Sequence, residues 1–235
     1  MAVLMSPGLS AAISAGRGPD IRLAPPAGPC SSEGMAIGAI MVDVDGVLIA
    51  HPDANGWSAR LERDLGIPGT RLQEAFFARH WDEVANGRAA LRERLEPVLR
   101  EIAPDVGCEA LIRYWFEHDA HVNEDLCREL ASIRASGIEV HLATVQDHER
   151  ARFLWDDLGF RDRFDGLHYS AELGCSKPEA AFYERIEART GFRPSELFLI
   201  DDSPANVAAA LARGWSAALW TGRESPRALI PNAAP

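Results

Sequence analysis

The run Ile40-Met41-Val42-Asp43-Val44-Asp45-Gly46-Val47-Leu48 decides the fold, because an apolar strand leads directly into two aspartates one residue apart. In an open α/β sheet, ligands collect just beyond the carboxyl ends of the strands, so Asp43 and Asp45 are expected where a site forms. Gly46 then permits a tight turn away from the strand. The local sequence offers neither aspartate a cationic neighbour. Two negative charges this close call for a counter-charge, most simply a hard divalent cation such as Mg2+. Taken alone, the segment also fits an Asx-rich turn after a strand.

Working outward, five short apolar runs end in polar or small residues: Ala39 to Asp43, Ile138 to Ala143, Gly166 to Tyr169, Leu197 to Asp201 and Ser216 to Trp220. Helical patterns separate them, so the expectation is an α/β protein with a Rossmann-like, doubly wound parallel sheet. Asp147 is placed to cap a helix over His148 to Asp157. Ser203 is placed to cap another, with Pro204 in its first turn, Val207 and Leu211 on one face and Gly214 after its end.

The stretch between the first two strands is too long for a crossover helix. Leu72, Ala75, Phe76 and Arg79, then Leu91, Leu95, Val98, Leu99 and Ile102, repeat at three and four residues. This predicts an inserted helical cap domain over residues 55–125. The α/β core then comprises residues 35–54 and 126–235. Residues 1–34, rich in Gly, Ala, Pro and Ser, show no sustained period and read as a flexible leader.

Composition narrows the function. The 235 residues carry 24 Lys+Arg against 35 Asp+Glu, a formal charge of -11. That argues against general binding to nucleic acid or an anionic membrane. No apolar run approaches the roughly 20 residues that span a bilayer. The four cysteines, Cys30, Cys108, Cys127 and Cys175, lie far apart without a C-x-x-C pair. They read as reduced thiols of a soluble, cytoplasmic protein rather than a zinc site or disulfide framework. The oligomeric state is left open.

Three further segments stand at or beyond the ends of the proposed strands. Thr144 follows His141-Leu142-Ala143, Lys177 opens a helix with Pro178, and Asp201-Asp202 follow Leu197-Phe198-Leu199-Ile200. With strand order 3-2-1-4-5, strands 1 and 4 meet where the winding reverses, so Asp43, Asp45, Asp201 and Asp202 converge in the switch-point crevice. Four carboxylates together make a metal site. A cation at a helix start is disfavoured by the dipole, which gives Lys177 a functional reading. By contrast, Glu117-His118-Asp119-Ala120-His121 reads as a polar helix face. Arg79-His80-Trp81 and Trp115 are candidates to face the substrate, but aromatic residues at helical spacing are more often core, so they stay off the site.

With these segments in order, the chain resembles the haloacid dehalogenase-like hydrolase superfamily from about Ile37 to Trp220. The first motif is Asp43-x-Asp45-Gly46-Val47-Leu48, the second Thr144, the third Lys177-Pro178 and the fourth Asp201-Asp202-Ser203-Pro204-Ala205-Asn206-Val207. The position of the insertion resembles the C1-capped subgroup. The stretch from Phe164-Asp165-Gly166 to Ser176-Lys177-Pro178-Glu179 is similar to its sugar-phosphate phosphatases.

The resemblance implies a Mg2+-dependent phosphatase acting on a small-molecule phosphate ester. Asp43 is then the nucleophile and forms an aspartyl-phosphate. Asp45 is the general acid and later the base. Thr144, the backbone amide of Val145 and Lys177 contact the phosphoryl group. Mg2+ is held by Asp43, the backbone carbonyl of Asp45, and Asp202 with Asp201 beside it. One departure stands out: many relatives carry Asn where Val145 stands, so an amide donor is missing at that position. A phosphosugar mutase shares all four motifs. A metal-free 2-haloacid dehalogenase shares the nucleophile but lacks a carboxyl at the Asp45 position. A binding domain that has kept the fold without turnover is the non-enzymatic alternative.

A segment without apolar periodicity contributes little packing. Deleting residues 1–34 is therefore expected to leave the melting temperature unchanged, as differential scanning calorimetry of the full and shortened chains will show. A fall of several degrees would mean that the leader docks on the core.

Overall fold

The computed structural model describes residues 36–53 and 56–230. The proposed leader, residues 1–34, lies outside the described residues. Five parallel strands form one sheet in the order β3-β2-β1-β4-β5, with β1 at Ala39–Val42, β2 at Glu139–Thr144, β3 at Gly166–Tyr169, β4 at Leu197–Asp201 and β5 at Ser216–Leu219. Each agrees with the apolar run that predicted it to within a residue at either end.

The two-residue period of a strand decides which layer each side chain joins. Ile40 and Val42 of β1, Val140 and Leu142 of β2, and Phe198 and Ile200 of β4 face one layer. There they meet Leu126, Leu130 and Ile133 of the Glu124–Ala135 helix. Ala39 and Met41, with Leu197 and Leu199, face the other. That layer holds Phe182, Tyr183 and Ile186 of the Ala180–Thr190 helix. Both faces of β1 are covered, and all four of its residues are buried. This explains why its sequence is a continuous apolar run rather than an alternation.

Between β1 and β2 the chain forms a helical unit with a core of its own, built from Trp57, Leu61, Phe76, Leu95, Leu99, Leu111 and Trp115 among others. The predicted period is present: Leu91, Leu95, Val98, Leu99 and Ile102 are all buried along the Leu91–Ile102 helix. Residues 69–85 run as one helical stretch, in which Gln73–Phe77 widens to a π-type turn. Phe76 and Phe77, at the end of that turn, are both buried. The unit joins the sheet domain through two antiparallel linkers. Ile49 bridges Val122, Ala50 N–H donates to His121 O at 3.2 Å, and Asn123 N–H donates to Leu48 O at 2.8 Å.

Three local expectations need correction. Lys177 and Pro178 lie in a turn, and the next helix begins at Ala180 with Glu179 at its N-cap. Ser203 holds the N-cap position of the Pro204–Arg213 helix, but its side chain makes no capping bond. Asp201 Oδ1 accepts from Ser203 N–H at 2.9 Å instead, so the preceding strand end holds this turn. Leu211 is 53% exposed. That helix packs through the small Ala210, and Leu211 stands about 100° further round. Asp147 does cap its helix, accepting from Glu149 N–H at 2.8 Å.

Among the described residues, no helix is long and apolar enough to cross a membrane. Phe198, 1% exposed at the centre of the sheet, offers a test of the layer assignment. Phe198→Ala is expected to cost about 3–5 kcal/mol by the usual cavity penalty, read from urea unfolding. A loss below about 1 kcal/mol would show that the layer is not tightly packed there.

Candidate active site

β1 and β4 lie side by side in register, Val42 opposite Ile200, and the Asp43 N–H continues the ladder to Ile200 O at 2.9 Å. Their carboxyl ends therefore release Asp43 and Asp201 next to one another, at the point where the winding of the sheet reverses. The carboxylates of Asp43, Asp201 and Asp202 each place an oxygen within 4.8 Å of the others. Among the described residues this is the one group of three or more acidic, His or Cys side chains arranged to hold a metal ion. The donors are all hard oxygens, which suit Mg2+ rather than a soft transition metal.

The Asp45 carboxylate is not in this group. Asp45 Oδ2 instead accepts from Gln146 Nε2 at 2.7 Å. The expected convergence of four carboxylates is thus three plus one. Gly46 makes this possible. It has φ +84, and a Cβ there would meet Asp202 Oδ2 at 2.1 Å.

Lys177 Nζ sits among the three central strand ends. It lies 2.9 Å from Asp43 Oδ1, 2.6 Å from Asp201 Oδ2 and 2.9 Å from the carbonyl of Ala143. Burial works against its charge, but Asp43 and Asp201 outweigh it and hold the ammonium above its ordinary pKa. Asp201 is fully buried and fully engaged, since it also accepts from Ser203 N–H and from Asn206 Nδ2 at 2.9 Å. Asp202 is the exposed member of the group.

Charge crowding shows in the proton affinities. Burial raises Asp43 well above the carboxylate range despite Lys177, with Asp201 and Asp45 adding to the rise. Asp202 is raised by burial and then by Asp201. Asp45 is pushed up to about 6, first by burial and then by Asp119, against the pull of Arg150, Gln146 and Lys177. A carboxyl near that value can both give and take a proton at neutral pH.

A cavity of about 410 Å³ opens over these groups. Asp43, Asp45, Thr144, Val145, Lys177 and Asp202 line it from the sheet side, so all the predicted residues except Asp201 reach it. Thr144 ends β2 and is 1% exposed. Val145 also packs against the core of the helical unit. Asp201 lies behind, under Lys177 and Asn206.

The helical unit supplies the opposite wall with Phe77, Trp81, Trp115 and Asp119. The rings of Phe77 and Trp81 stand 5.4 and 5.6 Å from that of Trp115. The core reading of Trp81 and Trp115 and the polar-face reading of Asp119 were thus incomplete: all three are buried and also line the cavity. Arg150, Gln146 and Asn206 gave no signal by residue type. Arg150 is 1% exposed, donates to Phe116 O at 3.0 Å and to Asp119 O, and lies between the Phe116 and Phe153 rings. Its one sequence cue is its place in the Asp147-capped helix, just beyond the strand that ends at Thr144.

The chain belongs to the haloacid dehalogenase-like hydrolase family, whose model matches residues 37–214. Among curated proteins, an enolase-phosphatase E1 from Bradyrhizobium sp. is 31% identical over 99 residues, covering 40% of this chain and 42% of that protein. The chain thus spans less than half the length of that relative in the match. A HAD family enzyme from Bacteroides thetaiotaomicron, solved with magnesium and inorganic phosphate, superposes with a TM-score of 0.70 at 18% identity, over 83% of this chain and 98% of that one. L-2-haloacid dehalogenase from Xanthobacter autotrophicus superposes with a TM-score of 0.58 at 20% identity, over 82% and 80%. At these identities the two structures support the shared fold.

Gly46→Ala forces a side chain against the Asp202 carboxylate and onto a left-handed backbone, a strain of about 1–3 kcal/mol. We expect calorimetric titration of the variant with Mg2+ to show affinity at least about tenfold weaker, since 1.4 kcal/mol is a factor of ten. Unchanged affinity would mean that Asp202 is not a ligand.

Proposed function

We propose that this chain is a Mg2+-dependent phosphatase that hydrolyses a small phosphorylated metabolite through an aspartyl-phosphate. The observation that carries this reading is the pairing of the Asp43, Asp201 and Asp202 group with a separate carboxyl, Asp45, two residues from Asp43. A dehalogenating site has no use for that second carboxyl, whereas an alkoxide leaving group needs a proton donor.

The roles follow from position. Asp43 attacks phosphorus, forming a carboxylate oxygen to phosphorus bond as the ester bond breaks. Asp45 gives its proton to the departing oxygen and, in the second displacement, takes one from the attacking water. Thr144 and the Val145 backbone amide donate to phosphoryl oxygens, while Lys177 holds Asp43 in line and balances its charge. Asp43 and Asp202 are the side chains that would hold Mg2+, with the Asp45 carbonyl, and Asp201 would brace them through Lys177 and Asn206. Mg2+ bound there would supply neutralisation of the negative charge that develops in the phosphoryl transfer.

The helical unit acts as the cap. Its Trp81 and Trp115 rings, beside Asp119 and Asn86, offer flat apolar faces with hydrogen-bond acceptors, a combination that supports a sugar phosphate as the substrate.

The test is phosphate release from a panel of phosphorylated metabolites, with Mg2+ and with chelator. Asp43→Asn is expected to abolish release and the acyl-phosphate trapped by acid quench. Mg2+ at about a hundredfold over Kd should stabilise the folded protein by about 2.7 kcal/mol, and so raise the melting temperature by several degrees. Full phosphate release in chelator, with no Mg2+-dependent shift in melting, would overturn the metal dependence, whereas no phosphate release from any substrate together with halide release from a 2-haloacid in chelator would favour the metal-free dehalogenase chemistry instead.

A further inference from the structure

The missing amide after Thr144 has a replacement one residue later. Gln146 is 2% exposed and lines the cavity. Its Nε2 lies 2.7 Å from Asp45 Oδ2 and 3.3 Å from Thr144 Oγ1. A carboxylate only accepts hydrogen bonds, so the NH2 end of the amide must face this pair. The contact to Asp45 spans 101 residues of sequence and joins the segment after β1 to the end of β2.

We propose that Gln146 is the positioning residue for the proton-transfer step, holding Asp45 and Thr144 in one fixed arrangement. The proposal rests on the phosphatase reading. The amide N–H occupies Asp45 Oδ2, so the transferable proton is carried on Oδ1. As the Asp43–phosphorus bond forms and the ester P–O bond breaks, the Oδ1 proton passes to the departing oxygen and the alcohol leaves neutral. Asp45 is then an anion, and a hydrogen bond to an anion is about twice as strong as one to a neutral group. The Gln146 contact therefore strengthens as the proton leaves, which is the differential binding that lowers a barrier.

The same amide sets the second group. Thr144 Oγ1 accepts from Nε2, which leaves its O–H to point at a phosphoryl oxygen. Gln146 is itself anchored at the junction with the helical unit. Its backbone N–H donates to Ser170 Oγ at 3.0 Å, and that hydroxyl donates to Ala85 O at 2.5 Å. Ala171 N–H donates to the Gln146 carbonyl at 3.2 Å. Val145 has no donor in its side chain, and an asparagine at position 146 is one methylene too short to span both partners.

The test compares Gln146→Met, which keeps length and volume but not the donor, with the wild-type full chain on aryl phosphates of graded leaving-group basicity. A weakly basic leaving group such as p-nitrophenolate needs little protonation, whereas phenolate needs more. We expect Gln146→Met to lower kcat/KM for phenyl phosphate about tenfold or more beyond its effect on p-nitrophenyl phosphate, within the range that general acids contribute. In an Asp45→Asn background the same substitution should no longer change that ratio. A second readout needs neither metal nor turnover: the Gln146 side-chain amide resonances, assigned by their loss in Gln146→Met, should shift on Asp45→Asn. Equal losses on both aryl phosphates, or amide resonances indifferent to Asp45→Asn, would overturn the role of Gln146 alone. A wild-type chain that releases no phosphate in Mg2+ from any aryl phosphate or any phosphorylated metabolite of the panel would overturn the phosphatase reading and this role with it.

Discussion

The contact on which the site depends is the buried ammonium of Lys177. It has three donors, and three acceptors take them: the carboxylates of Asp43 and Asp201 and the carbonyl of Ala143. Those acceptors stand at the ends of β1, β4 and β2, so one side chain ties the three central strands where the sheet opens. Without it, two buried carboxylates would stand side by side uncompensated, an arrangement that folded proteins do not tolerate cheaply. Burial, and after it the crowding of the carboxylates, raises the proton affinity of Asp43 and Asp202 above the ordinary value. That excess negative charge is what makes the crevice a place for a cation.

Four aspartates within a short radius are kept distinct by what surrounds each one. Asp201 is buried and saturated by Lys177, Asn206 and Ser203, so it acts as a brace. Asp202 is exposed to the cavity, and its carboxylate fits only because residue 46 has no Cβ. Asp45 turns aside to Gln146 and sits among Asp119 and Arg150, which push its proton affinity in opposite directions. Identical side chains thus acquire different chemistry from their neighbours.

The helical unit completes the crevice without supplying any of the four motifs. It has its own core of aromatic and aliphatic side chains, and Phe77, at the end of the π-type turn, joins Trp81 and Trp115 in the cavity wall. The antiparallel linkers bridge at Ile49 and Val122, and Ile49 is only four residues beyond Asp45. On the far side Asn86 accepts from Ser176 Oγ at 2.7 Å, and Arg92 pairs with Glu149 at 2.9 Å. The first of these contacts lies at the cavity wall.

The sequence by itself determined the sheet, its strand order and the convergence of Asp43, Thr144, Lys177 and Asp202. Buried parallel strands are legible as apolar runs, and chemistry collects where such runs stop. It also marked the helical insertion, because Leu91, Leu95, Val98, Leu99 and Ile102 keep a helical period whatever they pack against. Only the tertiary structure decided the partners. That Asp45 leaves the carboxylate group for Gln146, 101 residues away, has no trace in local spacing. For Trp81 and Trp115 the sequence posed core against substrate wall without deciding, and they serve as both, while Asp119 gave no sign of its place in the wall. Periodicity reports which face of a helix is buried, but not whether that face meets a solid core or the edge of a crevice. Lys177 shows both sides of this limit. Its residue type and place after an apolar segment were readable, while the turn it occupies and the three strand ends it joins exist only once the sheet has assembled.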